Sequence, residues 1–286
     1  MYLRLFKLFS LLTFITPTFA SHAHEGHEGN ASKEPQDTIA ASVVSIEKSA
    51  KDPSLQMVRL KLTNKSDGSP VTPKDLKVVH TQPVHLLIID SSLRDYSHIH
   101  PNFVYPEKDK TVQKNAGTYE FIWSPKDRTN PYRLWVDVTP KATDEQEYAR
   151  VDLPLAPLSD SKAQEIDLTV VLESTQREMQ ATLSFDQPLK KGESAMGTVR
   201  ILKSGKPFKG LEPLMGAFAH IVGFYGDFEN IVHIHPMGQE PTKASMRGGP
   251  ELMFHITPEQ SGLIKLFIQV QIDGHDVFFP MTVKVE

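Results

Sequence analysis

Apolar positions along the chain recur at a period of two in short runs, and no stretch holds the 3.6 period of a helix for any length. Before residue 157 the runs are IAASVVSI, MVRLKLTN, HLLIID, SHIH, TYEFIW, YRLWVDV and YARVDL. After residue 165 they are DLTVVLE, MQATLSF, MGTVRIL, AHIVGFY, NIVHIH, ELMFHIT, LIKLFIQVQ and VFFPMTVKV. Each run is rich in Val, Ile, Tyr, Phe or Trp and is bounded by Gly, Pro, Asn, Asp or Ser, the signature of strands between turns. In IKLFIQV, for example, Ile264, Leu266, Ile268 and Val270 share one face. Asp273-Gly274 between the last two runs is a hairpin turn. The expected fold is all-β, an antiparallel β-sandwich of immunoglobulin-like or cupredoxin-like type.

The pattern occurs twice. HLLIIDSSLRDYSHIHP, from His85 to Pro101, returns as HIVGFYGDFENIVHIHP, from His220 to Pro236, with the same spacing of histidines and an offset of 135 positions. Upstream, VRLKLTNKSDGSPV at Val58 matches VRILKSGKPF at Val199, and downstream YRLWVDV matches IKLFIQV. A repeat of this length is a duplicated domain. The expected organisation is a signal peptide (1–20), a histidine-rich tail (21–37), one sandwich over 38–157, a linker over 158–164 and a second sandwich over 165–286.

The repeated part also carries the ligand chemistry. His98 and His100 are two apart on one strand and so point the same way. In the simplest antiparallel register His85 stands opposite His100 and Leu87 opposite His98. All three imidazoles then converge on one face, while Leu86, Ile88 and Ile99 turn to the other. The same arithmetic gathers His220, His233 and His235, with Ile221, Val232 and Ile234 behind. A slip of one residue would scatter both sets. Three neutral imidazoles suit a copper or zinc ion and leave a coordination position open. The bland alternative is a structural corner at which Pro101 and Pro236 end the strand.

Composition narrows the chemistry. Cysteine is absent, which excludes disulfides, thiolate ligands and a blue-copper centre. With a net charge of −4 and no basic cluster, nucleic acid is not an expected partner. The N-terminus, MYLRLFKLFSLLTFITPTFA, has Arg4 and Lys7, an apolar run and small residues, which predicts a secretory signal cut after Ala20 or Ala23. No other stretch is long and apolar enough to cross a bilayer, so the expected mature protein is periplasmic or secreted with no membrane span. The tail that follows, SHAHEGHEGNASKEPQ, places His22, His24 and His27 beside Glu25 and Glu28, a composition that either collects metal loosely or serves as a solvated spacer.

Other side chains rank below the two triads. His80, His255 and His275 have no histidine at the matching place in the other copy and read as packed or surface residues. Met215 and Met237 are thioethers near the second triad, suited to Cu(I) but also ordinary gap fillers. Asp90, Asp95 and Asp227 could orient imidazoles or simply form turns. No nucleophile elbow or phosphate loop occurs, and nothing marks an acid or base beside the histidines, so no catalytic residues and no organic cofactor are expected.

In the second half, GKPFKGLEPLMGAFAHIVGFYGDFENIVHIHP with GGPELMFHIT and LIKLFIQVQIDGHDVFFPMTVKV resembles exported bacterial domains with an MGA-x-x-H…H-x-H-P signature, similar in layout to YtkA-like and CopC-like β-sandwiches. The resemblance covers most of 195–286 and, more weakly, 57–140, where VVHTQPVH replaces the LMGAFAH lead-in. It implies an exported β-sandwich near metal-handling proteins, with His220, His233 and His235 as ligands. The expected function is transition-metal binding in the periplasm, with a periplasmic protein as a further partner. The competing classes are a non-catalytic Ig-like interaction module and a metal-dependent enzyme.

Overall fold

The computed structural model describes residues 37–49, 52, 54–105, 116–155, 169–238 and 240–286, with the side chains of 233, 235 and 236 excepted. The signal segment, the tail as far as residue 36 and the linker at 158–164 lie outside the described residues. The described residues hold strands and turns and no helix.

The first repeat contains β1 (Ile39–Lys48), β2 (Gln56–Asn64), β3 (His85–Asp90), β4 (Tyr96–Ile99), β5 (Asn102–Phe103), β6 (Thr118–Trp123), β7 (Tyr132–Val138) and β8 (Glu147–Leu153). The second contains β9 (Glu173–Gln176), β10 (Met179–Phe185), β11 (Ala195–Lys203), β12 (Lys206–Pro207), β13 (His220–Tyr225), β14 (Ile231–Pro236), β15 (Glu251–Ile256), β16 (Gly262–Ile272) and β17 (His275–Val285). The expected runs become strands with one correction. In the described part of DLTVVLE, residues 169–173, β9 starts only at Glu173, and Val170, Val171 and Leu172 are exposed. An isolated bridge between Val171 and Thr282 and a hydrogen bond from the Leu183 amide to the Leu172 carbonyl hold that stretch in place of a continuous ladder.

In the first repeat the sheets run β1-β2-β6-β5 and β4-β3-β7-β8, all antiparallel. In the second, β17-β16-β13-β14 continues into β15-β11-β10-β9 because β14 belongs to both layers. It pairs with β13 as far as His233 and with β15 from Ile234 onward. The equivalent segment of the first repeat is split into β4 and β5, which join different sheets on either side of His100-Pro101. The His-x-His-Pro segment is thus the corner at which the chain changes layer, a usual place for a strand to bend in packed sheets. Each sandwich closes over its own core. Val58, Leu60, Leu86, Ile88, Leu134 and Val136 fill the first, and Val199, Ile201, Ile221, Leu266, Ile268 and Phe279 the second.

β3 and β7 are buried at every position, although the alternation of a sandwich strand leads one to expect one wet face. The reason is a third apolar cluster shared by the repeats. Leu87, Ile89, Leu93, Tyr96 and Trp135 of the first pack with Val222, Phe224 and Phe267 of the second. These are matching positions: Leu87 corresponds to Val222, Ile89 to Phe224 and Trp135 to Phe267. The contact is therefore self-complementary, as in a two-fold dimer, but within one chain. Arg133 fastens its rim. Its guanidinium donates to Asp152 at 2.6 and 3.1 Å, to the Phe228 carbonyl at 2.7 Å and to Glu229 at 2.7 Å. Residues 37–286 form one compact unit in consequence.

Candidate metal centre

The pairing of β3 with β4 sets Leu86 opposite Ile99 and Leu87 opposite His98, which is the register required for convergence. Leu86 and Ile88 enter the first core, and His85 shares the other face with Leu87 and Ile89. That face is the seam between the repeats, not an outer surface.

Three ring nitrogens meet there. His85 Nδ1 lies 3.2 Å from His98 Nε2 and 3.0 Å from His100 Nε2. His85, His98 and His100 are the group of described residues with metal-ligand geometry. For an ion held tetrahedrally at about 2.0–2.1 Å, neighbouring nitrogens would be about 3.3 Å apart. The observed separations are close to that value.

The opposite ring nitrogens fix the tautomers. His85 Nε2 is 2.9 Å from the Val79 carbonyl, and His98 Nδ1 is 3.0 Å from Gln269 Oε1. Both partners accept only, so both nitrogens carry the hydrogen. The Gln269 orientation is set in turn by its Nε2, which donates to Asp276 Oδ2 at 3.1 Å. In the neutral state His85 Nδ1 and His98 Nε2 therefore present lone pairs to each other, with no proton to share. A cation between them resolves the contact, and partners of this kind on the far nitrogens are how proteins orient metal-binding imidazoles.

Electrostatics keeps the ligands neutral. Burial lowers the His98 pKa to about 3 and that of His100 to about 4, with neighbouring imidazoles adding to the effect. Burial lowers His85 and His80 as well. His85 is only 4% exposed. Neutral imidazole is the form that ligates, so the site is prepared for an ion at neutral pH.

Two more histidines surround the triad. The His220 ring of the second repeat lies 4.4 Å from that of His98 and 6.5 Å from that of His85, and the His80 ring is 6.1 Å from those of His85 and His220. His80 occupies the tip of a two-residue turn in which Val79 and Gln82 exchange both backbone hydrogen bonds. His80 and Thr81 take φ of 48° and 72° there. Leu214 and Ala217 close the same turn in the second repeat, with Met215 and Gly216 at φ 51° and 82°. His80 does have a counterpart, then: it matches Met215, and its imidazole hydrogen-bonds the main chain at that residue. The matching spacing before His85 and His220 was the signal, hidden because the two residue types differ.

Other candidates fall away from the centre. Asp90 accepts from the backbone of Arg94 and Asp95 and from Asn130, Asp95 from Tyr132 and the Lys126 amide, and Asp227 from the Glu229 and Asn230 amides. They shape turns and do not orient the imidazoles. The groups that do, the Val79 carbonyl and Gln269, were not foreseen. Met237 is 39% exposed, and His255 and His275 are exposed on β15 and β17. On the backbone, His233 stands opposite Val222 and His235 opposite His255, so the second repeat keeps the register of the first.

Fold and site together define a class: a tandem β-sandwich protein whose docked repeats enclose a three-histidine group able to hold an ion. Residues 40–153 and 174–286 each match the model of DUF8832, a domain of unknown function, and the chain belongs to that family as a two-repeat member. No curated protein matches the chain. Among solved structures it is similar to the S-layer protein SbsC domains 4 and 5, at 12% identity over 87% of this chain and 98% of that one, with a TM-score of 0.22. The D00-D0 domain of Intimin (11%, 86% and 98%, TM-score 0.22) and Yersinia pseudotuberculosis InvD (14%, 87% and 57%, TM-score 0.23) are similar to the same degree. At such scores the likeness says nothing about function.

Proposed function

We propose that this chain is an exported transition-metal-binding protein, without catalytic activity, that takes copper or zinc at one three-histidine site in each repeat. The carrying observation is the pair of facing lone pairs on His85 and His98, whose tautomers are held by Val79 and Gln269. His85, His98 and His100 form the first site. His220, His233 and His235, at the equivalent positions and in the same backbone register, form the second. Export rests on the N-terminal signal pattern, and the sequence resemblance of 195–286 to YtkA-like and CopC-like sandwiches supports a metal-handling role.

Titration of the mature protein with Cu²⁺ or Zn²⁺, with His22, His24 and His27 changed to Ala to silence the tail, tests the reading. Two equivalents are expected. His85→Ala with His98→Ala should remove one, and His233→Ala with His235→Ala the other. A protein that takes up no ion would be an interaction module with structural histidines.

A further inference from the structure

The two repeats differ on one outer face. In the second repeat β14, β15 and β11 lie side by side. Phe254 and Ile256 of β15 enter the core, so Met253 and His255 between them point outward, with Thr198 and Met196 of β11 opposite. The Met237 amide donates to the Met253 carbonyl at 2.9 Å, which carries the register one step past Pro236 and Phe254 and sets Met237 opposite Met253. The equivalent face of the first repeat belongs to β5, β6 and β2. There Asn102, the residue after Pro101, stands opposite Glu120, and Ile122 stands opposite Met57. Glu120 also faces Arg59 and pairs with it at 3.2 Å. Met237, Met253 and His255 thus stand where the first repeat has Asn102, Glu120 and Ile122. Duplication alone does not account for them.

Methionine ordinarily lies in a protein's interior, as Met179 and Met281 do here. Met237 and Met253 are instead 39% and 43% exposed, His255 is exposed beside them, and Met196 is half-buried. Directly opposed residues hold their Cβ atoms about 5 Å apart, and His255 lies about 7 Å from Met253 on the same face of β15. The three rotatable bonds of each methionine let both sulfurs lean toward one point above that face. A cleft of about 420 Å³ opens in front of Met237 and Met253. Its described lining includes Glu240 and Glu251 and no Lys or Arg, so a cation enters without repulsion. Thioether sulfur is a soft donor that selects Cu(I) over hard divalent ions, and imidazole complements it.

We infer that Met237, Met253 and His255 form a separate site for a soft monovalent ion, Cu(I) or its redox-inert counterpart Ag(I), with Met196 as a further thioether at its edge. The site takes up an ion that is already reduced, so binding moves no electron. None of these residues belongs to either three-histidine set, and the site does not depend on those sets holding metal. Its donors differ in kind from theirs: thioethers on an outer face, imidazoles at the seam.

The test follows the methionine methyl groups by NMR in the full mature chain with the tail histidines silenced, labelled with ¹³C-methyl methionine and assigned by single Met→Leu variants. Ag⁺ is added in the presence of excess Zn²⁺, which occupies imidazole sites and leaves thioethers free. The Met237 and Met253 methyl resonances should shift and saturate together, while those of Met179, Met246 and Met281 stay in place. Zn²⁺ alone should move none of them. Met237→Leu with Met253→Leu conserves volume and so retains the fold. That variant should lose the ion, read for Cu(I) by competition with a chromophoric chelator under reducing conditions, and His255→Ala should weaken it. Unmoved Met237 and Met253 resonances, or undiminished Cu(I) affinity in the double variant, would overturn the inference. So would a Met246 resonance moving in step with them, which marks an adventitious ion only. Zn²⁺ uptake without a methyl response to Ag⁺ removes this site and leaves the histidine sites standing; a methyl response without Zn²⁺ uptake does the reverse.

Discussion

At His98 one ring nitrogen faces His85 and the other faces Gln269 of the opposite repeat, so a single imidazole joins ligand chemistry to domain docking. Gln269→Leu keeps the side chain's bulk but removes the acceptor that fixes the tautomer. Metal affinity at the first site should fall 10–100-fold in a chelator competition, while the second site holds. Gly223 shows a different constraint. In the first repeat Ile88 pairs across the strands with Ser97, and in the second Gly223 pairs with Val232, so bulk has moved from one strand to the other. A Cβ on Gly223 would stand 2.3 Å from Val232 Cγ1 and 2.9 Å from Ile264 Cγ2. Gly223→Ala should destabilise the protein by about 1–3 kcal/mol in urea unfolding, because both neighbours are in a filled core.

The two-residue turn before each first histidine has one function in both copies, to aim the following strand, but different residues at its tip. Thr81 adopts a φ of 72°, a region in which a β-branched residue is strained, and the second repeat has Gly216 in its place. Thr81→Gly should therefore raise stability by about 0.5–1 kcal/mol in thermal or urea unfolding and leave metal affinity unchanged. His80 shares the strain, but its ring packs beside His85 and His220, so relief there would cost contacts. At the other end of the site, His-Pro marks the change of layer in both repeats. In the second repeat β14 ends at Pro236 after serving both sheets.

Docking of the repeats should tie the aromatic residues of the seam to the histidine site. Trp135, 3% exposed, packs with Phe224 and Phe228 across the seam and stands in the same row of the sheet as His98, with Leu87 between them. Trp135→Ala should cost about 3–5 kcal/mol and also weaken the first site, since Gln269 is held in place by the same packing. Unchanged affinity would show that the repeats orient their sites independently. The seam also fixes the pH response. His80, His85, His98 and His100 all have folded pKa values below the usual one, mainly through burial. Unfolded imidazoles take up protons near pH 6.5, whereas folded His100 and His98 resist to about 4 and 3, so the ion-free protein should lose stability as pH falls through that interval. Asp137, raised by burial to about 6, opposes this, because the folded state binds its proton first as pH drops. Four imidazoles against one carboxyl leave the net slope downward, and urea unfolding between pH 7 and 4 measures it.

Period-two alternation made the strands, the duplication and the convergence of His85, His98 and His100 legible in the chain itself, because register and facing are local properties of a pleated backbone. The face of each strand was legible too, but not what would cover it. Leu87, Ile89 and Trp135 could have been the outer residues of a free sandwich. Their burial follows from shape complementarity with Val222, Phe224 and Phe267 in the other copy, a property of assembled surfaces rather than of any one run. The groups that fix the tautomers were hidden for the same reason. One is a main-chain carbonyl, which no residue type announces, and the other belongs to a glutamine 171 positions away on the opposite repeat. Spacing along the chain could bring three imidazoles together, but the orientation of their protons depended on the docking of one sandwich against its copy.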